Sequence, residues 1–181
     1  SQWYTQYHDG FLIPTEDVQI IKTSPDKYIE TRNELFTQGY GLIGETSFNW
    51  DYKDEGFAIQ HAKSIGADTV VLASEFTDTS TYTSGVVTYG LGVAPVTSSQ
   101  RRYDQNALYF LKGLDKGRYG FRYEPVSSEE KQKYEINHGL KMFVIVNNSP
   151  MQEAGAIPGD ILMEVDGRKV IDASDIYDDG I

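Results

Sequence analysis

Apolar and polar residues alternate along the N-terminal part of the chain in a pattern that predicts both strands and helices. A β-branched run predicts a strand at 18–22, and apolar residues spaced by three and four predict a helix between Ser24 and Gly39. A second strand, a second helix at about 53–65 and a buried third strand at 69–76 follow. The order strand, helix, strand, helix, strand is typical of an α/β layer arrangement.

The composition changes at residues 77–100, which are rich in Thr, Ser, Tyr and Gly and carry few charges. Two interpretations remain open for this segment, a long hairpin with its tip near residues 84–92 or a mobile loop. The strand-forming residues Tyr82, Val86 and Tyr89 favour the hairpin. Residues 101–111 are then predicted to return as the strand that closes the first domain.

These patterns divide the chain into four parts. An aromatic arm covers residues 1–17, and an α/β module with two helices on a small mixed sheet covers 18–112. Two glycines mark a linker at 113–117, and a β-rich module follows at 118–181. We therefore predict an α+β fold with two domains.

The most regular pattern lies in residues 142–170, which read MFVIVNNSPMQEAGAIPGDILMEVDGRKV. Ser149 is predicted to cap a short helix that starts at Pro150. Asp166-Gly167 predicts a hairpin, because a primed turn needs positive φ at both central residues. Four apolar residues of the flanking strands are predicted to be largely buried: Val144, Val146, Ile161 and Val165.

This order of strand, S-P-x-x-x-A-G, x-P-G-D, strand, D-G, strand resembles the PDZ domain in the form common in bacterial envelope proteins. The resemblance implies a partly open β-barrel with one more strand than residues 118–181 supply. We therefore expect a longer chain, or a sheet edge that is covered by another segment or by a second copy. The aromatic arm, residues 3–13, is the first candidate for that cover.

The segment that follows the linker resembles the carboxylate-binding loop of PDZ domains. Gly120 lets backbone N–H groups converge on one point, which suits a terminal carboxylate. The resemblance implies that residues 121–124 form the open-edged strand that a peptide joins. The residues implied in binding by this loop and strand are Arg118, Tyr119, Gly120, Phe121, Arg122 and Tyr123. The alternative is that Tyr119 and Phe121 are core residues.

Two acidic residues depart from the family pattern. Asp175 stands where a His often selects the ligand's hydroxyl, and Asp179 stands where an apolar wall residue is expected. Both are implied to line the groove, where acids repel a carboxylate if they are close and unpaired. We also expect that a β-branched residue in place of Gly120 abolishes binding without unfolding the protein.

Composition excludes several classes of function. A net charge of −11 disfavours nucleic acid and anionic lipid as partners. The chain has no cysteine, which excludes disulfides and thiol catalysis, and no apolar run long enough to span a bilayer. No metalloprotease, nucleophile-elbow or phosphate-loop motif is present, so we predict neither catalytic residues nor a metal or cofactor.

The leading hypothesis is a non-catalytic periplasmic or secreted protein, with a lipid anchor as an option, whose PDZ-like module binds peptides or protein C-termini. Another envelope protein, or a homodimer formed through the open sheet edge, is an alternative partner. A second hypothesis is a structural or assembly role in which the groove is vestigial or occupied by the protein itself. A hydrolase is the least favoured hypothesis.

Overall fold

A computed structural model describes residues 4–8, 12–50, 55–88, 92–114 and 119–177 of the chain. Its helices and strands are, in order, β1 (Tyr4–Gln6), β2 (Gln19–Thr23), α1 (Tyr28–Thr37), β3 (Tyr40–Trp50), α2 (Glu55–Ile65), β4 (Thr69–Thr88), β5 (Gly92–Lys112), β6 (Phe121–Pro125), α3 (Ser128–Tyr134), β7 (Leu140–Ile145), α4 (Pro150–Glu153), β8 (Ile161–Leu162), β9 (Glu164–Val165), β10 (Arg168–Lys169) and α5 (Ser174–Tyr177). This mixture of helices and separate sheets confirms the predicted α+β class. None of the described sheets closes into a barrel.

The chain forms two compact units. The first unit contains Ser1–Arg32 and Gly41–Lys112, and the second contains Asn33–Tyr40 and Gly113–Ile181. The inclusion of residues 33–40 in the second unit is a feature that the sequence pattern did not indicate. Part of the predicted linker, residues 115–117, lies outside the described residues.

The first unit is built on a mixed sheet with the strand order β1-β3-β5-β4-β2. Strands β2 and β4 run parallel, with Gln19 opposite Thr69 and Thr23 opposite Ala73. Strands β4 and β5 form a long antiparallel hairpin, in which Thr69 pairs with Phe110. The hairpin predicted for residues 77–100 is therefore present, and its tip at residues 89–91 lies outside the described residues.

The core of the first unit lies between this sheet and its helices. Val70, Val71, Tyr109 and Phe110 are fully buried at the centre of the sheet, and α2 contributes only small buried side chains. Burial of such residues stabilises the fold by roughly 1.5–3 kcal/mol for each large apolar side chain. The buried Tyr109 hydroxyl is hydrogen-bonded to Thr46 Oγ1 at 3.1 Å, so this polar pair is satisfied in the core.

The N-terminal arm contributes a strand to the first unit. We expected the arm to cover a sheet edge of the C-terminal module, but β1 pairs with β3 instead. The physical reason is the space above Gly44, where an added Cβ would lie 2.3 Å from the Tyr4 ring. The Tyr4 hydroxyl donates a hydrogen bond to the carbonyl of Ile43 at 3.2 Å. Trp3 and residues 9–11 lie outside the described residues.

The second unit contains a three-stranded antiparallel sheet, β6-β7-β8, and a separate hairpin, β9-β10. The prediction of a primed turn is confirmed, because Asp166 and Gly167 have φ of +51° and +75° between these two strands. The buried residues of its core come from strands, loops and α5: Phe121, Leu140, Met142, Ile145, Val170 and Ile176.

Only one of the four strand residues predicted to be largely buried is fully buried. Val144 is 2% exposed, as predicted. Val146, Ile161 and Val165 have intermediate burial and are thus less buried than Val144. For Ile161 and Val165 the reason is the shortness of β8 and β9, which have two residues each and cannot present a wide inner face.

Residues 33–40 join the second unit through specific contacts. The Arg122 guanidinium lies 3.7 Å from the centre of the Phe36 ring. The N–H of Asn147 donates to the carbonyl of Thr37 at 2.8 Å, and the N–H of Gly113 donates to the carbonyl of Gly39 at 2.9 Å. A cation–π contact and two backbone hydrogen bonds thus attach the end of α1 and the residues after it to β6, to the loop after β7 and to Gly113.

Candidate functional site

Strand β6 lies at one edge of the three-stranded sheet, and β7 is its hydrogen-bonded neighbour in the described chain. The N–H of Val146 donates to the carbonyl of Gly120 at 2.9 Å, which makes these two residues a hydrogen-bonded pair. Such pairs alternate along an antiparallel ladder with pairs whose backbone groups point outward. The next pair is Phe121 with Ile145, so the N–H and C=O of Phe121 face away from β7.

The same alternation extends along β6 beyond a bulge between Arg122 and Tyr123. Tyr123 lies opposite Met142, whose N–H donates to Asp160 on the far side of β7 at 2.8 Å. Tyr123 and Met142 are therefore not bonded to each other, and the backbone groups of Tyr123 also face outward. Pro125, two residues further on, occupies the third outward position and has no N–H to offer.

The loop before β6 is held by its carbonyl groups. Gly120 has φ of +71°, a left-handed conformation that favours glycine. The carbonyl of Tyr119 accepts from the N–H of Met151 at 3.1 Å, at the start of α4. The loop is thus fixed to the helix that the S-P-x-x-x-A-G motif predicts, which places it directly before the outward-facing Phe121.

Ser149 joins the loop to this helix. Its side chain is 6% exposed, donates to the carbonyl of Gly120 at 3.2 Å and accepts from the N–H of Gln152 at 3.2 Å. The motif correctly predicted Ser149 as a helix cap, but its contact with the loop depends on tertiary structure and was missed. A Cβ on Gly120 would lie 2.2 Å from the Ser149 Cβ. A β-branched residue at Gly120 is therefore expected to destabilise the second unit, a cost that the sequence pattern did not indicate.

The three aromatic residues assigned to a ligand pocket pack against the core of the unit. Phe121 is 7% exposed and belongs to the buried cluster, while Tyr119 and Tyr123 are half-buried beside it. The ring centres are 6.5 Å apart for Tyr119 and Phe121 and 6.1 Å apart for Phe121 and Tyr123. Phe121 therefore has the core position that the alternative interpretation proposed. Its side chain is not available to a ligand, but its outward backbone N–H and C=O are.

The charged residues of the predicted site have different roles. The Arg122 side chain stacks over Phe36, on the sheet face opposite to that of Phe121. Asp175 Oδ2 accepts hydrogen bonds from the N–H groups of Ile171 at 2.7 Å and Asp172 at 3.0 Å. This carboxylate thus holds the loop before α5. Arg118 and Asp179 lie outside the described residues.

An ion-pair cluster lies at the far end of β6. Lys141 Nζ is 2.7 Å from a Glu130 carboxylate oxygen and 3.3 Å from one of Glu124. The hydrogen bond from Lys141 lowers the pKa of the Glu130 carboxyl, and the N–H of Ser127 lowers it further. Glu130 and Ser127 also form a capping box at the start of α3. The cluster joins β6, α3 and β7 at the surface.

No family model, curated protein or solved structure matches the chain. The PDZ resemblance thus remains a prediction from the residues themselves. Within the described residues, no helix is long and apolar enough to cross a membrane. The same part of the chain contains no group of three or more His, Asp or Glu side chains positioned to hold a metal ion.

Proposed function

We propose that the second unit binds extended peptides by β-strand addition along β6, as a non-catalytic module of the PDZ type. The observation that carries the proposal is the outward direction of the backbone groups of Phe121 and Tyr123. A peptide strand laid beside β6 finds two donors and two acceptors at the spacing of a β-ladder. The finer fold that we propose is the partly open β-barrel of that family.

The energetics indicate what else the site must supply. Four backbone hydrogen bonds contribute about 2–6 kcal/mol in total, whereas micromolar binding needs about 8 kcal/mol. The remainder must come from side chains or from a terminal carboxylate. The half-buried rings of Tyr119 and Tyr123 border the strand and supply apolar surface. The loop at Gly120 is the proposed position of the carboxylate.

The proposed partner is a peptide, a protein C-terminus or another envelope protein. The resemblance of the motif to envelope PDZ domains supports a periplasmic or secreted location, with a lipid anchor as an option. The Asp175 carboxylate accepts two backbone hydrogen bonds, so it opposes an incoming anion less than an unpaired carboxylate would.

Calorimetry with three forms of each peptide in a C-terminal library tests this function. The unmodified peptide, its C-terminal amide and a version with alternate N-methylated amides separate the carboxylate contribution from that of the strand. We expect N-methylation to reduce the affinity at least about tenfold, because it removes the ladder donors. Equal affinity of the N-methylated and unmodified peptides, or no binding by any peptide, would refute the proposal.

A substitution in β6 makes the test specific. Tyr123→Pro removes an outward N–H that β7 does not use, and Pro125 shows that the strand already contains a proline at an outward position. We expect this variant to fold and to bind peptide at least about tenfold more weakly. Tyr123→Phe, which keeps the backbone and the ring, is the matched control and should bind like the wild type.

The β4–β5 hairpin favours a second candidate function, assembly with other protein chains. Thr77–Thr81 is exposed, and Phe76 is 52% exposed while its ring lies 5.8 Å from that of Tyr103. Sedimentation at increasing protein concentration distinguishes the two modes of association. A dimer lost in Phe76→Ser indicates contact through the hairpin, and a dimer lost in Tyr123→Pro indicates pairing through β6.

A further inference from the structure

The first unit contains a cavity of about 330 Å³ at the carboxyl end of β2, beside residues 72–74 of its parallel neighbour β4. β5 and the first turn of α2 complete its wall. The volume is within the range of small-molecule sites, whose lower end is about 300 Å³.

Strand register shows which side chains share the face that carries the cavity. Lys22 lies opposite Leu72, and Leu72 lies opposite Ala107, so these three side chains are on one face of the sheet. Tyr109 follows Ala107 by two residues on the same face and contacts His61 of α2, with ring centres 5.1 Å apart. The face that carries Lys22 is therefore the face that α2 covers.

Polar groups converge on this face. Ser74 and Gln105 are cross-strand partners that follow the row of Lys22 by two residues along β4, and both line the cavity. Gln105 is 8% exposed. A buried carboxamide in the middle of a sheet indicates a specific role for the side chain more strongly than a buried apolar residue does. Leu72 and Ala107 form an apolar floor between these groups and the charged end.

The charged end of the cavity is an ion pair. Lys22 Nζ lies 2.8 Å from Glu55 Oε1, and the two side chains are 66% and 44% exposed. An exposed ion pair of this kind contributes little to stability, so a ligand can replace it at small cost. The cavity thus presents one cation and one anion side by side.

We propose that this cavity binds a small zwitterion of the α-amino acid class. The ligand's carboxylate accepts from the Lys22 ammonium, its ammonium donates to the Glu55 carboxylate, and its side chain points toward Ser74 and Gln105. A ligand with a single charge would contact only one of the two partners, whereas both are charge-assisted contacts for a zwitterion. A zwitterion satisfies both partners and, being neutral, is not repelled by the net charge of −11.

Titration of the ¹⁵N-labelled full chain with glycine, L-serine and L-glutamine tests the site by NMR. Acetate and methylammonium, which carry one charge each, are the ligand controls. We expect saturable shifts of the amide signals of Thr23, Ser74 and Gln105 with the amino acids, and neither saturation nor comparable shifts with the two control ions.

Substitutions in the Lys22–Glu55 ion pair test whether this pair is responsible for the shifts of the amide signals. Lys22→Ala and Glu55→Gln each remove one charge-assisted contact and should weaken binding about tenfold or more. Lys63→Ala is the matched control, because it removes the Lys63–Glu16 pair at the other end of α2. It should bind like the wild type. The Lys22, Glu55 and Lys63 side chains are 66%, 44% and 39% exposed, and circular dichroism verifies that each variant folds.

Three outcomes overturn the proposal: no saturable shift with any amino acid at millimolar concentration, equal saturation by acetate or methylammonium, or equal weakening in Lys63→Ala and Lys22→Ala. The proposal is independent of peptide binding, since the cavity lies in the first unit. Tyr123→Pro should therefore leave the amino acid titration unchanged.

Discussion

The two units differ in whether the edge of a sheet is paired with another strand. In the first unit, the edge of β3 is paired with β1, a strand from the N-terminal arm. In the second, the described chain places no strand beyond β6, and the backbone groups of two residues face outward. An edge that is paired within its own unit adds to the stability of the fold. An edge left without a strand is available to a partner.

The side chains near each edge fit these two uses. Gly44 leaves room for the Tyr4 ring, which lies between the sheet and His61 with ring centres 4.6 Å apart. On β6, Glu124 and Pro125 border the outward positions of Phe121 and Tyr123. Charges and proline are the means by which natural proteins prevent edges from pairing with each other at random. β6 thus combines a short open stretch with protection at its end.

The largest effect is expected from Gly120→Val. The substitution imposes a left-handed conformation on a β-branched residue, at about 1–2 kcal/mol, and forces its Cβ against Ser149, at about 1–3 kcal/mol more. We expect a loss of about 3 kcal/mol in the free energy of unfolding, measured by urea denaturation.

Gly155→Val separates the two contributions. Gly155 has φ of +82°, and no atom lies within 4 Å of the position that its Cβ would occupy. This variant should lose only the conformational part, about 1–2 kcal/mol. If both variants lose the same amount, the contact between Gly120 and Ser149 has no energetic importance.

A smaller effect is expected from Tyr4→Ala, which removes the ring that holds the arm. The variant loses the contacts with His61 and Tyr109 and the hydrogen bond to Ile43, for a total of about 1–3 kcal/mol. Hydrogen exchange of the Tyr7 amide, which donates to Ile43 at 3.0 Å, should become faster.

Tyr7→Phe is the control for the arm. It removes only an exposed hydrogen bond from the Tyr7 hydroxyl to Glu45 Oε1 at 2.6 Å. The change in stability should stay within about 0.5 kcal/mol, and amide exchange in the arm should not change. Unchanged exchange in Tyr4→Ala as well would show that the ring does not hold the edge strand.

The smallest effect is a dependence of the stability of the first unit on pH. Burial lowers the pKa of the His61 imidazole from its ordinary value of 6.5. The unfolded chain then binds this proton before the folded one does. The stability that the first unit has with a neutral His61 is therefore fully present above pH 6.5, and part of it is lost as the pH falls below that value.

Comparison with His61→Phe isolates this dependence, because the other two histidines remain in both proteins. We expect the difference in unfolding free energy between wild type and variant to change between about pH 7.5 and about pH 5, with the wild type losing more. Parallel curves over this range would assign the acid sensitivity to other groups.

Local signals in the sequence were sufficient for the turns and caps. The Ser149 cap and the Asp166-Gly167 turn each depend on residues at most four positions apart, and both are present. Contacts between distant segments were not predictable in this way. The Tyr4 ring over Gly44 and the Phe36 ring under Arg122 depend on how the chain folds back on itself.

In the candidate sites, too, local features were predictable and contacts between distant segments were not. The position of β6 followed from the spacing of its motif, but the outward direction of Phe121 and Tyr123 required the register with β7. The cavity beside Lys22 was missed altogether, because its wall consists of parts of three strands and a helix whose registers no local pattern reveals.

The membership of residues 33–40 in the second unit has a consequence for the folding rate. Phe36 and Arg122 are in contact although a long stretch of chain separates them, and closing so long a loop is slow. The β4–β5 hairpin shortens this search, because it returns Phe110 to a position opposite Thr69. We therefore expect the hairpin to form early and the second unit to complete its core later, in a separate kinetic phase.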